Sequence, residues 1–373
     1  MSLETPQPAY LVLQDGTVFI GKSAGSIGTT TGEIAFNTGM TGYQEIFSDP
    51  SYYKQILIMT TSHIGNYGVH EEEIESDTIK VAGIVCKKFS QIASRPGSSG
   101  TLQGYLERDG IVGICDLDTR ALVRHIRQKG AMNAVISSEI TDVDQLKKMV
   151  SEIPSMQGME LSSFVSTKQA YDVASDNPSA NVALLDLGVK RNIIRCLTER
   201  GCNVRVFPHN STADEIAKWN PDGIMLSNGP GDPAAMPEVV AEIGKLVELG
   251  LPTFGICLGH QMIALSQGLT TEKMFNGHRG VNHPVKNLKS GRCEITSQNH
   301  GFVVSRDSLA DNVQIEETHM HLNDHSVAGI QHKTKPLFSV QYHPEASAGP
   351  HDSRYLFDQF VERIHEFKSQ PVS

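Results

Sequence analysis

No run of about 18 apolar residues occurs in the 373-residue chain, so no helix able to span a bilayer is expected. The opening MSLETPQPAY has neither a basic start nor an apolar stretch. A secretion signal is therefore not expected, and the chain is expected to stay in the cytoplasm. The six cysteines, at 86, 115, 196, 202, 257 and 293, form no CxxC pair and follow no regular spacing. That argues against a zinc site or a disulfide framework and for reduced thiols. Basic blocks are missing too: the formal charge of −10 is spread along the chain, which disfavours nucleic acid as a partner. The glycine-rich turn GPGDP lacks the GK[ST] ending of a P-loop, and GxGxxG is absent, so that turn is not expected to cradle a phosphate. What is there is ordinary globular composition, 39% apolar with 33 glycines, on a length that suits two domains with cores of their own.

The first 150 residues read as short β-rich segments, such as AYLVLQDGTVFIG and QILIMTTSHIG, broken by Gly, Asn and Asp turns. Helices join them. TRALVRHIRQK, from Thr119 to Lys129, sets Leu122, Val123 and Ile126 at helical spacing, and Thr141 is expected to open a second helix. Residues 1–150 are thus expected to form an α+β domain. Residues 151–180 turn polar and aperiodic and read as a linker. Across 181–373 strand and helix alternate: NVALLDLG, RNIIRCLTERG, NVRVFP, TADEIAKWN, DGIMLSNGPGDP, PEVVAEIGKLVELG, LPTFGIC. This implies an α/β domain with a mainly parallel sheet flanked by helices. Chemistry in such a sheet belongs beyond the carboxyl ends of the strands.

One such end is Gly255-Ile256-Cys257-Leu258-Gly259, between the apolar LPTF strand and the amphipathic HQMIALSQG. An isolated cysteine is ordinarily a small buried filler. Glycine on both sides at a strand-to-helix turn instead has the form of a nucleophile elbow, which exposes its central side chain at the positive end of a helix. A second end is PLFSVQYHPEAS, an apolar strand closing on His343-Pro344-Glu345. Residues two apart in an extended segment face the same way, and Pro344 keeps His343 extended, so Glu345 can hold the imidazole as orienter of a base.

SNGPGDP, from Ser227 to Pro233, follows the DGIML strand and offers backbone N–H groups for a developing oxyanion; Gly231 and the amide of Leu258 are the expected donors. Gln261 shares a helix face with Cys257, although that face is equally compatible with solvent. SQNHGF, Ser297 to Phe302, mixes polar groups and a glycine before an apolar strand, where backbone can approach a ligand. Thr318-His319-Met320-His321, with His325 nearby, supplies histidines without a matching carboxylate. HxH on a strand reads as a polar face, and no metal is expected.

In combination, GICLGHQ, the terminal HPE and SNGPGDP resemble the class I, triad-type glutamine amidotransferases, over about Asn181 to Lys368. FNTGMTGYQEIFSDPSY from Phe36 to Tyr52, SHIGNYG from Ser62, DLDTRALVRHIR from Asp116 and LDLGVKRNI from Leu185 to Ile193 are similar to the small chains of carbamoyl phosphate synthetases, so the resemblance runs from about Ala9 onward. It implies that Cys257 attacks the side-chain amide of L-glutamine, that His343 relays protons and that Glu345 supports it. It further implies glutamine contacts at Ser51, Gly229, Gly231, Leu258, Gln261, Asn299, Gly301 and Phe302. No cofactor is implied in this chain; ATP, magnesium and bicarbonate are expected on a large synthetase subunit, the implied partner, which the amino-terminal domain would contact and which would receive the ammonia. Some relatives carry serine at the nucleophile and do not use glutamine; this sequence keeps cysteine, which implies activity. The triad by itself also fits the glutaminases of anthranilate or guanylate synthesis and γ-glutamyl hydrolases, and a non-catalytic scaffold would keep the same fold. The first 150 residues favour carbamoyl phosphate synthesis, and the intact Cys, His and Glu set favours an enzyme.

Overall fold

A computed structural model describes residues 6–369. The first residues of MSLETPQPAY and the last residues of the second expected domain lie outside the described residues. The chain divides into two compact units after Met156.

The first unit is built on a closed barrel. Its strands run in the order Pro8–Leu13, Val18–Gly25, Val112–Cys115, Gly83–Val85, Gln55–Met59, Thr29–Asn37 and Met132–Ser137. Gln55–Met59 pairs in parallel with both neighbours. Its residues alternate between two apolar clusters: Ile56 and Ile58 pack with Leu11, Ile34 and Ile114, while Leu57 and Met59 pack with Phe47, Tyr52 and Ile84. A strand covered on both faces reads as a continuous apolar run rather than as an alternation, which is what QILIM shows. Helix Thr119–Lys129 starts where the Asp118 carboxylate accepts the Ala121 N–H, and it buries Leu122 and Ile126. The next helix, Val143–Ser151, is capped by Asp142, one residue beyond the expected Thr141, because the carboxylate accepts from both Asp144 and Gln145 N–H.

The second unit begins earlier than the composition implied. Most of the stretch expected as a linker, 151–180, is built into it. Gly158 N–H donates to Asp232, Thr167 N–H donates to Asp186, helix Ser162–Val165 follows Leu161, and strand Tyr171–Val173 pairs with Cys202–Pro208. Besides these hydrogen bonds only scattered apolar side chains, such as Leu161 and Val173, pack inward, so the segment shows no hydrophobic period.

A ten-stranded sheet organises this unit, in the order Tyr171–Val173, Cys202–Pro208, Ala180–Asp186, Gly223–Leu226, Thr253–Ile256, Leu337–Val340, Val327–His332, Ile315–His321, Thr271–Asn287 and Cys293–Val304. The five strands from Cys202–Pro208 to Leu337–Val340 are parallel, and the remaining pairs are antiparallel. Helices Arg191–Thr198 and Tyr355–Ser369 cover one face through Ile193, Leu197, Phe357 and Phe360. Helices Pro237–Glu248 and Leu258–Ser266 cover the other through Ile243, Leu246, Met262 and Ile263. No helix among the described residues is long and apolar enough to cross a membrane.

Candidate active site

Strand Thr253–Ile256 ends at Cys257, whose backbone sits at φ 53°, ψ −101° before helix Leu258–Ser266 begins. A positive φ is rare for a residue with a Cβ and is held only where the surroundings over-determine it. The turn is held from two sides: Cys257 N–H donates to Val340 O at 2.9 Å, and Gly259 N–H donates to Ser227 O at 3.0 Å. Gly259 passes so close to the Gly223–Leu226 strand that a Cβ there would lie 2.3 Å from Leu226 O, so only glycine lets the helix start here. The thiol is buried, with Sγ 3.6 Å from Asn299 O and 3.8 Å from Gln341 Nε2.

Strand Leu337–Val340 lies beside the strand that ends at Cys257, with Val340 opposite Ile256. The chain beyond it therefore leaves the sheet next to Cys257. His343 N–H donates to Ser297 O at 2.9 Å, and His343 Nδ1 lies 2.7 Å from Glu345 Oε1, with both side chains buried. The same Oε1 receives Lys190 Nζ at 2.6 Å, from a side chain that is also buried. Burial pushes the Glu345 carboxyl up, but the Lys190 ammonium and then His343 outweigh it and hold the group below its ordinary value. Burial and the Lys190 charge push His343 down, while the Glu345 carboxylate and the Cys257 thiol reverse this and raise it. His343 Nε2 makes no hydrogen bond among the described residues. Orphaned buried ring nitrogens are rare and usually have a task.

The loop Ser227–Pro233 is fixed to the loop after Ala180–Asp186. Ser227 Oγ accepts Leu187 N–H at 2.9 Å, and Asn228 Oδ1 accepts Lys190 N–H at 3.1 Å. A Cβ at Gly229 would lie 2.0 Å from Leu187 O and 2.8 Å from Leu258 Cδ2, whereas one at Gly231 would meet Met159 O and Leu161. Of the two loop glycines, Gly229 is the one seated against Leu258. Gln261 is buried, not solvent-facing; its Nε2 donates to Phe302 O at 2.8 Å and to Gln341 Oε1 at 3.1 Å. This ties helix Leu258–Ser266 to strand Cys293–Val304, which carries Asn299, Gly301 and Phe302. Ser51 belongs to the first unit, buried in the turn Pro50–Tyr52, where its N–H donates to Asp49.

Two residues of this constellation were not picked out from the sequence. Lys190 lies inside LDLGVKRNI, and the signal for it was indirect: a carboxylate buried behind a histidine calls for a second counter-charge. Gln341, two residues before His343, left no signal of its own. The two histidines of THMH and the nearby His325 separate. His319 faces Tyr342 and Tyr355, His325 is exposed, and His321 joins His278 and His283.

Comparison with known proteins bears on both units. The model of glutamine amidotransferase class-I matches residues 183–363, and that of the carbamoyl-phosphate synthase small chain, CPSase domain, matches residues 11–136. The carbamoyl phosphate synthase small chain of Chlorobaculum tepidum is 49% identical over 366 residues, covering 97% of this chain and 99% of the relative. That of Thermosynechococcus vestitus is 48% identical over 379 residues, covering 98% of each. That of Staphylococcus haemolyticus is 49% identical over 365 residues, covering 97% of each. With a buried thiol at a strained elbow, a histidine–carboxylate pair beside it and likeness over nearly the whole length, the chain belongs to the carbamoyl phosphate synthase small chain family.

Proposed function

We infer that the chain is the glutaminase subunit of a carbamoyl phosphate synthetase, acting in the cytoplasm. The observation that carries this reading is the pairing of Cys257, at positive φ where its strand ends, with His343 and Glu345, where the adjacent parallel strand ends. Cys257 gives its proton to His343 Nε2, and its sulfur attacks the side-chain carbonyl carbon of L-glutamine. The carbonyl oxygen becomes an oxyanion, toward which the N–H groups of Gly229 and Leu258 are the proposed donors. As the C–N bond breaks, His343 returns the proton to the departing nitrogen, and ammonia leaves a thioester. His343 then takes a proton from water, which attacks the same carbon; the C–S bond breaks, the sulfur regains the proton, and glutamate leaves. Glu345 holds the imidazole tautomer, and Lys190 keeps that carboxylate ionised.

No cofactor is needed for these steps. ATP, magnesium and bicarbonate belong, in this reading, to a large synthetase subunit that takes up the ammonia. A sheltered transfer keeps ammonia from protonation and loss, which favours a tight complex, and the first unit is the proposed contact surface. Deleting that unit should abolish co-purification with the large subunit. The central test is alkylation by 6-diazo-5-oxo-L-norleucine. Labelling confined to Cys257 and blocked by glutamine supports the reading; its absence in the presence of a large subunit rejects it. Cys257→Ala should abolish glutamine-dependent synthesis and spare synthesis from added ammonia, because only the thioester step needs the thiol.

A further inference from the structure

On the antiparallel side of the sheet, three histidines converge. His278 and His283 come from strand Thr271–Asn287 and His321 ends strand Ile315–His321; one ring nitrogen from each lies within 4.8 Å of the others. Five residues apart, His278 and His283 would point to opposite faces of a regular strand. A register shift between Gly280 and His283 brings them together, as bulges do when they re-aim a side chain. His283 Nδ1 and His321 Nε2 are 3.1 Å apart. Asp324 spans the group, with Oδ2 2.8 Å from His278 Nε2 and Oδ1 3.2 Å from His321 Nδ1.

We propose that His278, His283 and His321 bind one divalent transition-metal ion of the zinc class, with Asp324 as the carboxylate that orients His321. Nitrogens each about 2.0–2.1 Å from a tetrahedral zinc lie about 3.3 Å apart, so the gap between His283 Nδ1 and His321 Nε2 needs to open only slightly. Asp324 Oδ1 and the Asn323 N–H both lie 3.2 Å from His321 Nδ1; with the ring proton on Nδ1, toward Asp324, His321 offers its Nε2 lone pair to the ion, the usual outer-shell arrangement of a metal-binding histidine. The His278 ring stacks on His321 with centroids 4.1 Å apart; rotation about its side-chain torsions swings Nε2 from Asp324 onto the ion. Imidazole ligands select zinc, nickel, cobalt or copper over magnesium or calcium, which prefer oxygen. The cluster lies near the surface, where the Asp324 side chain is 42% exposed while that of His321 is 1%.

The site also reaches strand Cys293–Val304. His278 stands opposite His300, their rings edge to face at 5.0 Å, and the Gln298 side chain lies 3.1 Å from one ring and 2.9 Å from the other. His300 Nδ1 donates to Phe302 O at 2.8 Å, the carbonyl that also receives Gln261. A bound ion braces the strand that carries Asn299, Gly301 and Phe302.

The test is zinc titration of the full chain, stripped of metal by a chelator, in competition with a chromogenic chelator, with cobalt as a spectroscopic stand-in. The expected result is one zinc per chain, retained when Cys257 and the exposed Cys293 are both replaced by serine. Loss of an outer-shell partner costs about 10–100-fold in metal affinity. Asp324→Asn should therefore weaken binding by about that factor, and His321→Gln or His283→Gln by at least about 100-fold. Circular dichroism of the metal-free variants checks that they fold. Should both histidine variants misfold, the cobalt spectrum of the serine-substituted chain decides: a four-coordinate spectrum supports the site. No stoichiometric uptake, uptake lost with the cysteines, or equal affinity in folded His321→Gln overturns the proposal.

Discussion

His260 and His343 are both buried in the same unit, yet they sit at opposite ends of the histidine range. His260 Nδ1 faces the Ser339 hydroxyl at 2.8 Å; burial, then the neighbouring His319, push its imidazole down to about 3. His300, close by, is likewise pushed well down by burial. His343 meets the same desolvation, but the Glu345 carboxylate and the Cys257 thiol turn its shift upward. Burial alone makes a histidine a neutral hydrogen-bonding group. A buried carboxylate on one ring nitrogen and a thiol facing the other make it a proton carrier.

The sharpest way to break this contrast is Glu345→Gln, which gives His343 a neutral partner like that of His260. Steady-state glutaminase kinetics should show kcat lower by on the order of 10²–10⁴-fold with KM little changed, since the base rather than binding is lost.

Next in size is Lys190→Met. Removing one partner of a buried ion pair costs about 3–5 kcal/mol, and the lower figure applies because His343 still faces the carboxylate. Urea unfolding should read this loss. The acid limb should move as well. A carboxyl held below its ordinary 4.5 contributes stability that is present above that pH and is lost as pH falls through the lower folded value. Without the ammonium the folded value rises, so acid unfolding should begin at higher pH.

The smallest effect sharpens the other half of the contrast. His260 has a folded value of about 3 against an ordinary 6.5, so between these pH values the unfolded chain takes up a proton that the folded chain refuses. Its contribution is intact above about pH 6.5 and drains away on acidification. In His260→Gln the fall of stability with decreasing pH should be shallower by up to about 1.4 kcal/mol per pH unit, measured as denaturant midpoints from pH 7 to pH 4.

Much of the site was legible because its motifs are local. The Gly255–Gly259 turn, the HPE strand end and the glycine-rich loop each state their backbone requirement within a few residues, and the strand-helix alternation named the layered sheet around them. Lys190 was harder to see, because nothing near it in the chain indicates a carboxylate at position 345. The linker expectation for 151–180 failed for a related reason: hydrogen bonds to Asp186 and Asp232 leave no hydrophobic period. The histidine cluster escaped because register shifts change which face a side chain takes, and sequence spacing assumes none.

The sequence by itself determined the family and the layered α/β sheet and singled out Cys257, His343 and Glu345 as candidates for nucleophile, base and orienter, since short-range backbone geometry and apolar periodicity are encoded residue by residue. Only the tertiary structure decided the closed barrel, the seating of Gly229 rather than Gly231 against Leu258, the Lys190 counter-charge and the meeting of His278, His283 and His321. Each of these depends on which distant strands pair, in what register, and on how much water is left around the charges they bring together.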